Sequence, residues 1–113
     1  MKHQGTKFVR RFDANTYLRI LDAWQRYNLL DGTGCDSLVD AFRRCEHQRY
    51  MVFSIDSDVS FYPGEQYRMV QTLKEAGVPC RYVTIHSDKG HDAFLLEPEL
   101  FTPHLAYSLE NEW

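Results

Sequence analysis

Two strand-like segments separated by one helical segment constrain the fold of this chain more than any other feature. Residues Tyr50–Ile55 are almost continuously apolar, and Arg81–Ile85 are predicted to form a second strand of similar length. Pro63-Gly64 and Gly77 mark the start and end of the segment between them, since proline suits the first turn of a helix and glycine its C-terminus. The pattern predicts a strand–helix–strand unit with parallel strands, because the helix returns the chain to the same end of the sheet.

Two parallel strands are too few to make a sheet that covers itself. Parallel sheets are normally larger and are buried on both faces. The run at 50–55 is apolar enough to need neighbours on both sides. We therefore expect an α/β architecture that is a piece of a larger α/β domain, or one that completes its sheet with another chain.

A helix is predicted ahead of the first strand. Apolar residues recur at helical spacing from Tyr17 to Tyr27, and Asp13 or Asn15 can cap the start of this helix. Residues 1–12 show no clear period and carry no prediction.

Further helices are predicted on either side of the strand–helix–strand unit. The sequence Ser37-Leu38-Val39-Asp40 is a capping-box pattern that opens a helix. The C-terminal region is helical in character but is broken by Pro98 and Pro103. Thr102 is expected to be the N-cap of its last piece.

Composition excludes several classes of function. The chain has 113 residues, at most one ordinary domain, and a net charge of −3 with both signs mixed, which argues against a nucleic-acid-binding surface. It contains no apolar run of about 18 residues, so no membrane span is predicted, and no secretory signal is recognised. Three cysteines without C-x-x-C spacing argue against a disulfide framework, so we expect a cytoplasmic protein with reduced thiols.

Acidic and histidine residues follow both predicted strands. Asp56 and Asp58 come directly after the first strand, and His86 and His91 follow the second. The carboxyl ends of parallel strands meet at one edge of a sheet, so an acid from one loop can orient a histidine from the other. Asp58 followed by His91 has the order of the last two members of a nucleophile–acid–histidine triad.

Three other interpretations of these side chains stay open at this point. A loop histidine beside a carboxylate can be purely structural. Asp56, Asp58, His86 and His91 could be ligands of a metal ion, although their spacing matches no recognised metal motif. Asp56 and Asp58 could also hold magnesium for phosphate chemistry, but no glycine-rich phosphate loop accompanies them.

Three motifs in a fixed order carry a resemblance to a known family. They are RFDANTYL at Arg11–Leu18, IDSD at Ile55–Asp58, and GHDAFLLE at Gly90–Glu97. In this order they resemble the C-terminal third of the homoserine O-acetyltransferases, which are acyltransferases of methionine biosynthesis with an α/β-hydrolase fold. The resemblance covers nearly the whole chain.

The resemblance implies a role for each site residue. Asp58 is expected to be the triad acid, His91 the triad base, and Asp92 the partner of the substrate's ammonium group. For Asp92 the alternative is an N-cap of the following helix, and Asp56 is expected to be structural, bonding loop N–H groups. The resemblance further implies acetyl-CoA or succinyl-CoA as acyl donor, homoserine as acceptor, and no metal or bound cofactor.

The resemblance also implies how the chain divides. Residues 1–47 correspond to a helical segment that leads from a lid to the core, where Tyr17 and Trp24 are expected to be core or subunit contacts. Residues 48–113 correspond to the last two core strands and their helices. The whole is interpreted as the C-terminal part of an α/β-hydrolase fold.

One element of such an enzyme is missing from the sequence. The nucleophile motif G-x-S-x-G does not occur in the 113 residues, so we expect no activity from this chain alone. Its expected partners are an N-terminal portion that supplies the serine, or a second copy. A non-catalytic interaction module that completes its sheet by association is the alternative.

Overall fold

The computed structural model describes residues 2–111 and has a mixed α/β architecture. The sheet is formed by residues 50–55 and 80–85, and helices pack on both of its faces. The elements in chain order are α1 (Lys2–Arg11), α2 (Ala14–Arg26), α3 (Leu38–Arg43), β1 (Tyr50–Ile55), α4 (Pro63–Glu75), β2 (Cys80–Ile85), α5 (Ala93–Leu96) and α6 (Thr102–Glu110), with short 3₁₀ turns at Gly90–Asp92 and Pro98–Leu100.

The two strands confirm the predicted parallel unit. β1 pairs with β2 in parallel along their whole length, from Tyr50 opposite Cys80 to Ile55 opposite Ile85. Within residues 2–111 the sheet contains these two strands and α4 connects them. Both strands therefore end at the same edge, and the loops that follow them start side by side.

The side chains of β1 alternate between two apolar clusters, one on each face of the sheet. Phe53 and Ile55 point to the face covered by the C-terminal helices, while Val52 points to the face covered by α3 and α4. The first cluster comprises Ile55, Ile85, Ala93 and Phe101 with Phe53, Val83 and Leu100 around them. The second comprises Leu73, Ala76 and Val78 with Val39, Phe42, Tyr50, Val52 and Cys80 around them.

Local capping follows the sequence closely. The Asp13 carboxylate accepts the Thr16 N–H at 2.8 Å at the start of α2. The Ser37 hydroxyl accepts the Asp40 N–H at 3.1 Å at the start of α3. The predicted cap at Thr102 is wrong by one residue: Phe101 takes that place, because the preceding 3₁₀ turn already brings the backbone into helical conformation.

The first two helices form an arm with its apolar face exposed. No sequence period indicated α1. Its Phe8, and Phe12 just after its end, pack against Tyr17 of α2 at ring-centroid distances of 6.2 and 6.4 Å. No residue of α2 is buried, and Trp24 is 74% exposed. The radius of gyration is 17.7 Å, whereas a compact chain of this length would have about 13 Å.

No helix within residues 2–111 combines the length and the mean hydropathy that crossing a bilayer requires.

Candidate active site

The two loops at the carboxyl edge of the sheet bring the predicted side chains together. The Asp56 N–H donates to the Ile85 carbonyl at 3.1 Å, which extends the pairing of the strands by one step. The chain then turns, and the Asp58 N–H donates back to the Ile55 carbonyl at 3.0 Å. This turn directs the Asp58 side chain toward the loop that carries His91.

Asp58 is a buried carboxylate with both oxygens bonded. Its Oδ2 lies 2.9 Å from His91 Nδ1, and its side chain is 5% exposed. Its Oδ1 accepts the N–H groups of Ser60 at 2.8 Å and Phe61 at 3.0 Å. The acid is thus fixed by its own loop and presents one oxygen to the histidine.

Burial and hydrogen bonding act in opposite directions on Asp58. Burial is the largest single influence and tends to raise the pKa of this carboxyl. The hydrogen bonds from the Phe61 N–H, from His91 and from the Ser60 N–H together outweigh it, so the pKa lies below its ordinary value. Asp58 is therefore ionised at neutral pH and can accept the Nδ1–H of the imidazole.

The His91 ring is held between two aromatic side chains. The Phe61 ring lies 4.9 Å away and the Phe94 ring 5.6 Å away, measured between centroids. The imidazole remains 46% exposed, and within residues 2–111 no hydrogen bond engages its Nε2. With Nδ1 committed to Asp58, Nε2 is the nitrogen able to take a proton from a reactant.

An apolar cleft of about 530 Å³ opens beside this pair. Aromatic and aliphatic side chains make up most of its wall, and Asp58, His91, Gln66 and Thr102 are its polar members. The remaining lining residues are Phe53, Ile55, Phe61, Phe94, Pro98, Phe101 and Leu105. Such a cleft can exclude water from a bound apolar group while leaving the imidazole accessible.

The arm reaches the same site from the other side. Trp24 of α2 lines a second open space of about 670 Å³ together with Ser60, Phe61 and His91. Among the described residues Trp24 is not part of the core, in contrast to one of the two roles expected for it. Its possible role as a subunit contact stays a prediction.

Asp56 and His86 form a second, exposed pair. Asp56 Oδ2 lies 2.8 Å from His86 Nδ1, and Oδ1 accepts the Ser87 N–H at 3.1 Å. This confirms the expected hydrogen bond between Asp56 and a loop N–H. The hydrogen bond from His86, followed by that from the Ser87 N–H, lowers the pKa of Asp56.

The metal interpretations are not supported by this arrangement. The two aspartates bond different histidines, so the four side chains form two pairs instead of one cluster. Among residues 2–111 no group of three or more histidine, cysteine, aspartate or glutamate side chains could hold a metal ion.

Asp92 lies next to His91 at the end of a 3₁₀ turn. Asp92 occupies the N-cap position of α5, as the alternative expected, but its exposed side chain makes no capping hydrogen bond to that helix. Its role toward a substrate stays a prediction.

Sequence reasoning missed the aromatic and polar wall of the cleft. Phe61 and Gln66 lie outside the three motifs, and Phe94 lies within GHDAFLLE without a predicted role; the place of all three depends on how the loops fold. The one available signal was position, because Phe61 and Phe94 each follow a site residue by three positions.

Comparison with known proteins adds an independent observation. No protein-family model matches the chain. Proteins named homoserine O-acetyltransferase do match: the one from Caulobacter vibrioides strain NA1000 is 41% identical over 97 residues, or 86% of this chain. The one from Solidesulfovibrio magneticus is 45% identical over 85% of the chain, and that from Geotalea uraniireducens is 39% identical over 97% of it.

The matches cover only part of each relative, namely 25%, 24% and 29% of these three proteins. The chain thus spans about a quarter of the length of the curated relatives it matches. Over the length that matches, it belongs to the homoserine O-acetyltransferase family.

Proposed function

We propose that this chain is the C-terminal part of a homoserine O-acetyltransferase-like enzyme with an α/β-hydrolase fold, and that Asp58 and His91 are the acid and base of its Ser–His–Asp triad. One observation carries the proposal: the 2.9 Å contact between Asp58 Oδ2 and His91 Nδ1 at the carboxyl edge of a parallel sheet. The identity to homoserine O-acetyltransferases supports it.

In the proposed reaction, His91 moves protons and Asp58 orients it. Nε2 takes the proton of the serine hydroxyl as the oxygen attacks the thioester carbonyl of acyl-CoA, and it returns that proton to the departing CoA thiol. Nε2 then takes the proton of the homoserine hydroxyl, which attacks the acyl-serine and releases serine with its proton restored. Asp58 keeps the Nδ1–H tautomer and stabilises the imidazolium formed in each half-reaction.

The remaining parts of the reaction are assigned as follows. The serine belongs to the portion of the relatives that this chain does not match, since the 113 residues contain no G-x-S-x-G motif. Asp92, whose exposed carboxylate makes no cap, receives the ammonium group of homoserine. The acyl donor is acetyl-CoA or succinyl-CoA, and the proposal uses no metal or bound cofactor.

Reconstitution tests this function. The chain is mixed with the complementary three-quarters of the Caulobacter vibrioides relative, and CoA release from acetyl-CoA and homoserine is followed by a thiol reagent. Release that requires both pieces and both substrates is expected. A folded, associated pair that releases no CoA from either acetyl-CoA or succinyl-CoA would contradict the proposal.

A second candidate, a non-catalytic interaction module, is favoured by the exposed arm. The arm carries an apolar hollow that no other described element covers. It is lined by Phe8, Phe12, Tyr17, Ile20, Leu21 and Trp24. β1 also pairs along one edge only, with β2, within residues 2–111. A solution mass equal to one chain at micromolar concentration would count against this candidate, whereas a stable oligomer without reconstituted activity would favour it.

A further inference from the structure

The loop that carries His91 needs support beyond the sheet. The last paired residues of the strands are Ile55 and Ile85, and His91 lies six positions beyond the second of them. The intervening residues His86, Asp88 and Lys89 are exposed and have no apolar packing to hold them. Besides the contacts of its ring with Phe61 and Phe94, the position of His91 therefore depends on hydrogen bonds between the two loops.

Ser57 bonds both ends of this loop. Its hydroxyl donates to the Ser87 carbonyl at the start of the loop and accepts the Gly90 N–H at 2.9 Å at its end. Ser57 is half-buried and lies between Asp56 and Asp58 in the chain. A single side chain next to the acid thus sets the span of the loop that delivers the histidine.

The hydrogen bond from the Gly90 N–H to the Ser57 hydroxyl lies directly before His91 in the chain. Its φ of +62° is left-handed, a conformation that glycine adopts without strain. Its backbone runs close to the Ser57 loop, since a Cβ added there would lie 3.7 Å from the Ser57 carbonyl oxygen. The 3₁₀ turn that contains His91 begins at Gly90, so fixing the Gly90 N–H fixes the direction in which this turn starts.

The start of the loop is anchored separately. The Ser87 hydroxyl donates to the Glu97 carboxylate and accepts the Lys89 N–H at 3.1 Å. The Ser87 N–H donates to Asp56 Oδ1 at 3.1 Å. Ser87 is therefore held from three sides, which makes its carbonyl a fixed acceptor for Ser57.

We propose that Ser57 is a positioning residue for His91, which it acts on through Ser87 and Gly90. The proposal rests on the proposed function, in which His91 is the base that Asp58 orients. Loss of the Ser57 hydroxyl frees the Gly90 peptide, and the imidazole then leaves Asp58 for part of the time. The neutral ring shifts from the Nδ1–H tautomer toward Nε2–H, the wrong proton arrangement for a base that acts through Nε2.

The test compares two serine-to-alanine variants of the full chain. Ser57→Ala removes one donated and one accepted hydrogen bond at the site. Ser37→Ala is the matched control, because the Ser37 hydroxyl also donates once, to Asp40 Oδ2, and accepts once, from the Asp40 N–H, at the remote start of α3. Ser57→Thr keeps a hydroxyl and serves as the rescue variant.

Two readouts separate positioning from general stability. Urea denaturation gives the stability of each variant, and the ¹⁵N chemical shifts of the neutral His91 ring give the ratio of its tautomers. In Ser57→Ala we expect the Nδ1–H to Nε2–H ratio to fall about fivefold, the effect of losing one ordinary hydrogen bond. Ser37→Ala should lose similar stability with an unchanged ratio, and Ser57→Thr should restore the ratio.

Asp58→Asn distinguishes failure of this proposal from failure of the proposed function. The Asn oxygen is required by the Ser60 and Phe61 N–H groups, so its NH₂ faces Nδ1 and should favour the Nε2–H tautomer. If Asp58→Asn shifts the ratio but Ser57→Ala does not, Ser57 is not a positioning residue and the proposed triad stands. If Ser37→Ala shifts the ratio as much as Ser57→Ala, the effect is general destabilisation and the positioning role is again refuted. If Asp58→Asn leaves the ratio unchanged, the pair that the proposed function requires does not form.

Discussion

Two histidine–aspartate pairs lie at the same edge of the sheet and differ mainly in their surroundings. Both join Nδ1 to Oδ2, at 2.8 Å in the Asp56–His86 pair and 2.9 Å in the Asp58–His91 pair. The Asp58 side chain is 5% exposed and that of Asp56 is 45% exposed. Bond length therefore does not distinguish the pairs, and burial does.

The difference in burial comes from the turn after β1. Asp56 is the first residue after β1, and its N–H still bonds the last residue of β2, Ile85. Its side chain therefore stays at the outer rim of the sheet edge. Asp58 is two residues further on, inside the turn, where the Ser60 and Phe61 N–H groups close over it. A hydrogen bond in a site that excludes water is stronger than one that competes with solvent, so only the inner pair can hold an imidazole firmly.

The largest expected difference between the pairs is in catalysis. In the reconstituted complex, His91→Ala should lower the rate of CoA release about 10³-fold or more, as removal of a triad base does. His86→Ala should leave the rate within about twofold, since exposed pairs contribute little. Equal losses in the two variants, with both complexes still assembled, would contradict the assignment of His91.

The two acids should also differ in how much each stabilises the folded chain. Asp58→Ala removes the buried acceptor of the Ser60 and Phe61 N–H groups and the partner of His91 Nδ1, which should cost about 2–3 kcal/mol of unfolding free energy. Asp56→Ala should cost much less, because water can replace the exposed carboxylate. Urea denaturation measures both, and a larger loss in Asp56→Ala would show that the outer pair holds the loops.

The sequence contained enough information to place the inner pair. The strands, their parallel direction and the caps at Asp13 and Ser37 depend on local patterns, and each was predictable. The meeting of Asp58 and His91 follows from topology, because parallel strands of one unit end at one edge. Their burial was not predictable, since it depends on how the chain turns after the strand.

Other features depend on contacts that no local pattern encodes. α1 has few apolar residues, and its packing depends on Phe8 and Phe12 meeting Tyr17 across the turn to α2. The helical stripe that includes Trp24 normally predicts burial, yet it is exposed, because α1 contacts it at Tyr17 without burying any residue of α2. A periodic pattern predicts that a face will be covered but not what covers it.

Acid should weaken the folded state partly through Asp58. Its folded pKa is below the ordinary unfolded value of about 3.9, so its contribution is complete above that value and is lost as the pH falls through the folded pKa. Asp58→Asn cannot titrate and lacks this contribution at every pH. The stability gap between the wild type and Asp58→Asn should therefore shrink below about pH 4 in urea denaturation series. A gap that stays constant down to about pH 2 would contradict the lowered pKa.

Salt should reveal the smallest difference between the pairs. The pKa of Asp56 is also lowered, first by its hydrogen bond with His86, so its contribution has the same sign and is lost in the same direction of pH. Because the Asp56 carboxylate is exposed, about 0.5 M sodium chloride should screen much of its interaction with surrounding charges, while the buried Asp58 is screened much less. The difference in unfolding free energy between the wild type and Asp56→Asn should then become smaller at neutral pH when salt is added. The corresponding difference for Asp58→Asn should change little. If salt narrowed both gaps equally, the two carboxylates would be equally accessible to ions, and burial could no longer explain why one pair suits catalysis and the other does not.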